Sequence, residues 1–148
     1  MKKKPKDPEE YEALPCVECQ AKCCRYVAIE IDTPTTKKQY EDIRWYLLHE
    51  NVSVFVDHNH CWHVEFKTRC RALGDDHCCH EYETRPQLCR DHGWPIGSCE
   101  FFDSPYKYRF QSLEEFETHM DRRKPGWRYK RRPKVDQEGT TEPEQRQQ

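Results

Sequence analysis

The distribution of cysteine is the feature that most constrains what this chain can fold into. Ten cysteines occur among 148 residues, and nine of them fall into two groups separated by a long stretch. The N-terminal cysteine group is Cys16, Cys19, Cys23 and Cys24, and the C-terminal cysteine group is Cys70, Cys78, Cys79, Cys89 and Cys99. Close cysteine pairs on either side of a longer stretch are typical of chains that gather thiolates around metal. The sequence therefore predicts a metal-binding protein.

Disulfide bonds are the competing explanation for so many cysteines. The basic residues 1–6 are not followed by an apolar stretch, so the sequence predicts no secretory signal and a cytoplasmic location. In a reducing cytosol, paired cysteines more often bind metal or act in catalysis than form structural bridges. Adjacent cysteines also bridge to each other poorly, because a disulfide needs Cα atoms well over about 4 Å apart.

Composition favours one small domain between polar ends. Charged residues make up 35% of the chain and apolar residues 34%. We predict a disordered N-terminal arm at 1–13, a folded body at 14–120, and a basic, then polar, disordered tail at 121–148. A body of about a hundred residues buries a modest core, so bound metal would add useful folding free energy. No apolar run approaches the roughly 20 residues of a membrane span, so we predict no membrane partner.

Hydrophobic periodicity predicts the first elements of that body. Residues 26–32 alternate, which predicts a strand with one buried face formed by Val27, Ile29 and Ile31. Thr33 and Pro34 predict the start of the main helix. Its apolar face, at helical spacing, consists of Tyr40, Ile43 and Leu47.

The remaining elements complete an α+β prediction. Residues 52–56 and 61–66 flank an Asp/Asn turn and predict a β-hairpin. Residues 84–89 predict a short helix, and a capping box at 112–115 predicts a final helix with Leu113, Phe116 and Met120 on one face. The predicted fold is a small single α+β domain with one main helix, a hairpin, and cysteine-rich loops clamped by metal.

The number of thiols exceeds what one zinc ion needs. Four thiolates complete a tetrahedral zinc shell, so two zinc ions, one iron–sulfur cluster with spare thiols, or a polynuclear iron site all fit the sequence. Adjacent side chains diverge in extended backbone, which favours a shared binuclear site, or one ligand plus one packed thiol, at Cys23 and Cys24. We interpret Cys61 as a packed thiol, and Cys78 stays open as either kind.

Other side chains near the cysteines extend this hypothesis. Arg25 and Arg90 directly follow cysteines, and we expect them to donate to sulfur or to nearby backbone. The histidines of the hairpin are interpreted as solvated: His58, His60 and His63. Three more flank the C-terminal cysteine group, and any one of these could replace a cysteine in a mixed zinc shell: His77, His80 and His92.

Two blocks of the sequence resemble a known family. Cys16-x2-Cys19-x3-Cys23-Cys24 is followed by Cys70-x2-Leu73 and by Cys79-x2-Tyr82-Glu83-x-Arg85-Pro86-x2-Cys89-Arg90. This pattern, over 16–99, resembles the zinc- or iron-chelating cysteine-cluster domain family (the YkgJ-like or CxxCxxCC proteins). The resemblance implies a metal site with the ligands Cys16, Cys19, Cys23, Cys24, Cys70, Cys79, Cys89 and Cys99. It implies no particular reaction, and residues 20–22 place three residues before the double cysteine where the family has two.

Two other classes of function remain as alternatives. An iron–sulfur or metal-dependent redox enzyme, or an accessory protein, would use the same thiols. The sequence contains no phosphate loop, hydrolase elbow or nucleotide fingerprint, so enzyme is the minority interpretation. A nucleic-acid or protein binding module would use the eight basic residues of 122–134, between which Trp127 and Tyr129 lie.

Overall fold

An antiparallel sheet lies at the centre of this protein. The computed structural model describes residues 16–92, 99–101 and 103–130. Within these residues the sheet has four strands in the order β1-β3-β2-β4, and each neighbouring pair is antiparallel. The strands are β1 Tyr26–Ile31, β2 Val52–Val56, β3 Trp62–Lys67 and β4 Tyr108–Phe110. Together with the helices, the sheet confirms the α+β prediction.

The predicted hairpin is confirmed as β2 and β3. Val52 lies opposite Phe66, and Val56 lies opposite Trp62. The turn forms because the Asp57 carboxylate accepts hydrogen bonds from the backbone N–H groups of Asn59 (2.8 Å) and Cys61 (2.9 Å). A short side chain that bonds its own backbone in this way stabilises a tight turn.

Four α-helices occur in the described residues: α1 Cys16–Cys19, α2 Lys37–Leu47, α3 Gln87–His92 and α4 Leu113–Arg123. Helix α2 begins later than predicted, because Thr36 rather than Thr33 caps it. Thr36 and Gln39 form a capping box in which each side chain bonds the other residue's backbone N–H. The buried face of α2 consists of the three residues predicted, Tyr40, Ile43 and Leu47.

The hydrophobic core lies between the two long helices and one face of the sheet. Ser112 caps α4 by accepting from the Glu115 N–H, and α4 buries Phe116 and Met120 of the predicted face. The core residues are Tyr40, Ile43, Leu47, Val54, Val64, Phe110, Phe116, Met120 and Trp127. This cluster contains no cysteine in the described residues, so its packing does not depend on thiol chemistry. Among the same residues, no helix has the length and apolar character needed to cross a membrane.

The buried face predicted for the first strand is wrong. Val27 and Ile29 are 51% and 53% exposed, although β1 forms where the alternation predicted it. Among the described residues β1 pairs only with β3, so it lies at an edge of the sheet. The long helices cover the other strands, and only Ile31 of β1 packs against the core. The alternation of apolar and polar residues predicted the strand correctly. It could not predict that the helices leave most of this strand uncovered.

The boundary predicted at residue 120 is also wrong, because the folded body continues past α4. Trp127 is 2% exposed, and its ring meets those of Tyr40 and Phe116 edge-on, with centroids 5.9 and 5.5 Å away. Its indole N–H donates to the Asp121 carboxylate at 2.8 Å, which Arg128 also contacts at 2.8 Å. The predicted arm at 1–13 and the rest of the predicted tail, 131–148, lie outside the described residues.

Replacing Trp127 tests this C-terminal packing. Trp127→Ala should lower the free energy of unfolding by about 3–5 kcal/mol, because it removes a buried ring and leaves a cavity. The matched control is Tyr129→Ala, since Tyr129 is 55% exposed and its change should stay within about 0.5 kcal/mol. Urea unfolding followed by circular dichroism measures both. Equal effects at the two positions would contradict the packing of Trp127 in the core.

Candidate metal centre

The N-terminal cysteine group is folded into a tight reversal. Helix α1 is followed by Gln20 and Ala21, both with positive φ (59° and 51°), and then by a 3-10 helix, Lys22–Cys24. The Ala21 N–H donates to the Cys16 carbonyl at 2.9 Å, and the Cys24 N–H donates to the Ala21 carbonyl at 3.0 Å. Two successive non-glycine residues with positive φ are uncommon and need support from their surroundings. Here Ala21 is 2% exposed and fills the inside of the reversal.

The C-terminal cysteine group begins with a short hairpin-like loop. Leu73 and Cys79 form an isolated antiparallel bridge, and the Gly74 N–H donates to the Cys78 carbonyl at 2.9 Å. A Cβ at Gly74 would meet the ends of the Asp76 and His80 side chains, which would have to move to make room for it. The loop therefore places Cys78 and Cys79 on the returning arm.

The block Tyr82–Arg90 is held together by its own side chains. The Arg85 guanidinium lies 3.7 Å from the centre of the Tyr82 ring. Arg90 donates to the backbone carbonyls of Arg85, at 3.0 Å, and of Glu83. These contacts orient α3, which carries Cys89. Arg90 therefore donates hydrogen bonds to backbone carbonyls near Cys89, which is one of the two kinds of acceptor we expected for it.

The pairing of β1 with β3 brings the two cysteine groups together. Cys24 lies two residues before β1, and Cys70 lies three residues after β3. The ladder continues beyond the strands, because the Thr68 N–H donates to the Arg25 carbonyl (2.9 Å) and the Cys70 N–H donates to the Cys24 carbonyl (2.8 Å). Arg25 adds a side-chain link, with its guanidinium 2.8 Å from the Gln20 carbonyl and 3.1 Å from His77 Nδ1.

The thiol of Cys24 is influenced by thiols from the other group. Burial raises the pKa of Cys24, a hydrogen bond with Cys23 lowers it, and the thiols of Cys70, Cys79 and Cys89 raise it further. An ionised thiol at any of these positions makes ionisation of its neighbour less favourable. Three of the four cysteines that act on Cys24 thus belong to the C-terminal cysteine group.

The thiol of Cys16 lies in a second such set. Burial, followed by the effects of Cys19, Cys99, Cys24 and Cys78, raises its pKa to about 11. This set also combines both groups.

A third thiol completes the neighbourhood. Burial raises the pKa of Cys23, followed by the effects of Cys24, Cys16 and Glu100. The pKa values of these three thiols are thus affected by one another and by six further cysteines, Cys19, Cys70, Cys78, Cys79, Cys89 and Cys99. The nine cysteines include all eight ligands implied by the family resemblance.

Cys61 lies apart from these nine thiols. It is placed at the β2–β3 turn, and its pKa is raised by burial and by the carboxylates of Asp57 and Glu30. All ten cysteines lie in the described residues, and none of them forms a disulfide. In the same residues, no three cysteine, histidine or acidic side chains are arranged so that they could hold an ion. The nine thiols are thus neighbours without forming a coordination shell.

The histidines of the hairpin make contacts of their own. His58 Nε2 lies 2.9 Å from the Ser104 carbonyl, and His60 Nε2 lies 3.0 Å from Lys107 Nζ. The His63 ring stacks on Phe55 with centroids 4.6 Å apart. Of the histidines that flank the cysteines, His77 contacts Arg25, and His80 lies 3.6 Å from Asp76.

A buried polar cluster on the second face of the sheet was missed by the sequence analysis. Glu65 is 1% exposed, and its carboxylate accepts from Arg109 at 2.6 Å and from the Tyr106 hydroxyl at 3.0 Å. Tyr106 also packs against Phe55 and beneath the Arg109 guanidinium. Because Tyr106 follows Cys99 along the chain, this cluster ties the stretch after Cys99 to the sheet. Only the alternation of polar and apolar residues around Glu65 signals it, and solvent-facing strands show the same alternation.

The family resemblance gains no independent support from comparison with known proteins. The chain matches no protein-family model, no curated protein and no solved structure. The resemblance therefore depends on the cysteine motifs and on the Tyr82–Arg90 block alone.

Removing one partner of the buried ion pair tests the polar cluster. Arg109→Met should lower the free energy of unfolding by about 3–5 kcal/mol, because it leaves the Glu65 carboxylate buried without its cation. Lys38→Met is the matched control: Lys38 pairs with Asp42 on the exposed surface of α2, and loss of such a pair has little effect on the free energy of unfolding. Urea unfolding at neutral pH gives both values. If Arg109→Met were as mild as the control, the pair would not anchor this face.

Proposed function

We propose that this protein binds zinc or iron through its two cysteine groups, which act as one metal centre. The junction of Cys24 with Cys70 supports the proposal most directly. Their backbones are hydrogen-bonded at 2.8 Å, and the thiol of Cys24 is influenced by three thiols of the C-terminal cysteine group. The fold thus brings together cysteine thiols that are far apart in the sequence.

The electrostatics of the nine thiols favour a bound cation. Burial and mutual repulsion raise the pKa of Cys16, Cys23 and Cys24, so these thiols resist ionisation as long as they have only each other as neighbours. A bound metal cation supplies the positive charge that turns such thiols into thiolate ligands. Disulfides would satisfy the thiols in another way, but all ten cysteines are free in this fold.

The neighbourhoods suggest two subsites with four thiolates each. Subsite A consists of Cys24, Cys70, Cys79 and Cys89, since Cys24 is influenced by the other three. Subsite B consists of Cys16, Cys19, Cys23 and Cys99, which are linked through Cys16 and Cys23. Four sulfur ligands satisfy a tetrahedral zinc or iron ion, and the eight are those implied by the family resemblance. Each subsite draws on both cysteine groups.

Binding of nucleic acid through the C-terminal basic segment loses one of its two candidate stacking residues. Trp127 is buried and therefore cannot stack on a base. Arg128 is ion-paired with Asp121, and Lys124 Nζ lies 3.0 Å from the Tyr40 hydroxyl. Lys124, Trp127 and Arg128 thus link the end of α4 to the core. Metal binding is the function we retain.

Metal analysis of cysteine variants tests the proposal. Protein purified without oxygen should carry about two zinc or iron ions per chain, because eight thiolates complete two tetrahedral shells. Cys89→Ser or Cys19→Ser should each reduce the content by about one ion, because one four-ligand subsite is broken. Cys61→Ser is the control and should leave the content unchanged. Elemental analysis of folded protein gives the result; metal-free wild-type protein, or equal loss in the Cys61 variant, would contradict the proposal.

Removing the metal should loosen one end of the molecule and spare the other. The core contains no cysteine in the described residues, so chelation should speed amide hydrogen exchange in 16–25 and 70–92 by about tenfold or more. Exchange in α2 and β2 should change little. Hydrogen exchange of the full chain with and without a strong chelator measures this. Unchanged protection in 70–92 after complete metal removal would show that no ion holds this end.

A further inference from the structure

Two polar atoms beside the cysteine groups are inaccessible to solvent and lack hydrogen-bond partners. They are Nε2 of His92 and Oε1 of Glu100, and neither atom bonds to any part of the chain that the structure describes. Unpartnered buried polar groups are rare, because each has lost its interactions with water and gained nothing in return. Both residues lie close in sequence to proposed ligands, His92 three residues after Cys89 and Glu100 next to Cys99.

His92 is placed where it could act as a ligand of subsite A. Cys89 and His92 lie on α3 at a separation of three residues, which places them on the same side of a helix. Cys89 is also in the neighbourhood of Cys24. Burial lowers the pKa of His92, so its imidazole is neutral at neutral pH. A neutral imidazole with a free Nε2 is the form that binds metal.

The position of Glu100 suits a ligand of subsite B. Cys99, one of the four cysteines of subsite B, directly precedes it in the chain. Its Oε1 is inaccessible to solvent, and neither Lys22 nor Arg109 donates a hydrogen bond to it. A metal ion in subsite B would compensate a carboxylate that these side chains leave unpartnered.

We propose that His92 is a nitrogen ligand of subsite A and Glu100 an oxygen ligand of subsite B. Each would add to its subsite or replace one thiolate in it. This inference rests on the proposed metal-binding function. A centre that mixes sulfur with imidazole and carboxylate favours a borderline divalent cation, zinc(II) or iron(II), over copper(I), which soft thiolate and thioether ligands select.

X-ray absorption of the zinc-loaded full chain tests the ligands directly. The wild-type spectrum should require a sulfur shell at about 2.3 Å together with a nitrogen or oxygen shell at about 2.0–2.2 Å, and it should contain the outer-shell scattering of an imidazole. In His92→Ala the imidazole scattering should disappear. In Glu100→Gln the nitrogen and oxygen shell should shrink while the imidazole scattering stays.

Zinc affinity provides a second measurement on the same variants. Competition with a chromophoric chelator should give a dissociation constant at least about tenfold higher in each variant, as for other substitutions around metal sites. His49→Ala and Glu114→Gln are the matched controls, because both side chains are exposed and remain outside the two cysteine groups. Circular dichroism identifies any variant that fails to fold, and the wild-type spectrum tests the inference without any variant.

Failure of this inference is distinguishable from failure of the proposed function. Wild-type protein that binds zinc with sulfur ligands only, and with unchanged affinity in both variants, would overturn the roles of His92 and Glu100 while leaving thiolate binding intact. Wild-type protein that binds neither zinc nor iron would overturn both proposals. A lost imidazole signal in His92→Ala with unchanged spectra in the two controls is the result we expect.

Discussion

The pairing of β1 with β3 is the interaction on which the candidate site depends. Strand β1 follows the N-terminal cysteine group in the chain, and β3 precedes the C-terminal one. The two strands pair over six residues, and this pairing places Cys24 beside Cys70. A slip of one residue would move every β1 side chain to the other face and separate these cysteines. Ile31 favours the observed register, because it is the residue of β1 that packs against the core. Strand β3 is itself fixed by its pairing with β2, whose Val54 is fully buried in the core. Core packing thus positions the thiols from a distance.

The two faces of the sheet contribute to the site in different ways. One face carries the apolar core under α2 and α4, which stabilises the strands themselves. The other face carries Glu65, Arg109 and Tyr106, which attach the stretch after Cys99. Buried ion pairs contribute little net stability but strongly disfavour arrangements that would separate the two charges. The polar face therefore determines where this stretch runs, and with it where Cys99 and Glu100 lie.

Elements encoded by local pattern were predictable from the sequence, and those that depend on distant partners were not. Capping residues and helical spacing identified α4 and the buried face of α2, and an Asp-based turn identified the β2–β3 hairpin. The exposure of Val27 could not be predicted, since it follows from which strands the helices cover. Trp127 was misinterpreted because a single aromatic residue in a basic segment shows no hydrophobic periodicity. Strand β4 was not predicted because three residues are too few to show an alternating pattern.

The candidate site was partly predictable for the same reason. The family resemblance implied ligands from both cysteine groups, and the placement of Cys61 at the β2–β3 turn is consistent with its separate interpretation. The division into two neighbourhoods was not predictable, because each combines residues from both groups. The unpartnered atoms of His92 and Glu100 could be identified only from their burial in the structure, because the spacing of residues in the sequence does not indicate burial.

The absence of cysteine from the described core has a consequence for the order in which the molecule assembles. The hairpin is local in sequence, and α2 and α4 can pack on it before any ion arrives. Addition of β1 then closes the long loop between the two cysteine groups, at an entropic cost that grows only slowly with loop length. Metal would meet a chain whose topology is already complete. Loading would then be a late event on a folded scaffold, and it would be limited by the supply of ions rather than by the time needed to fold.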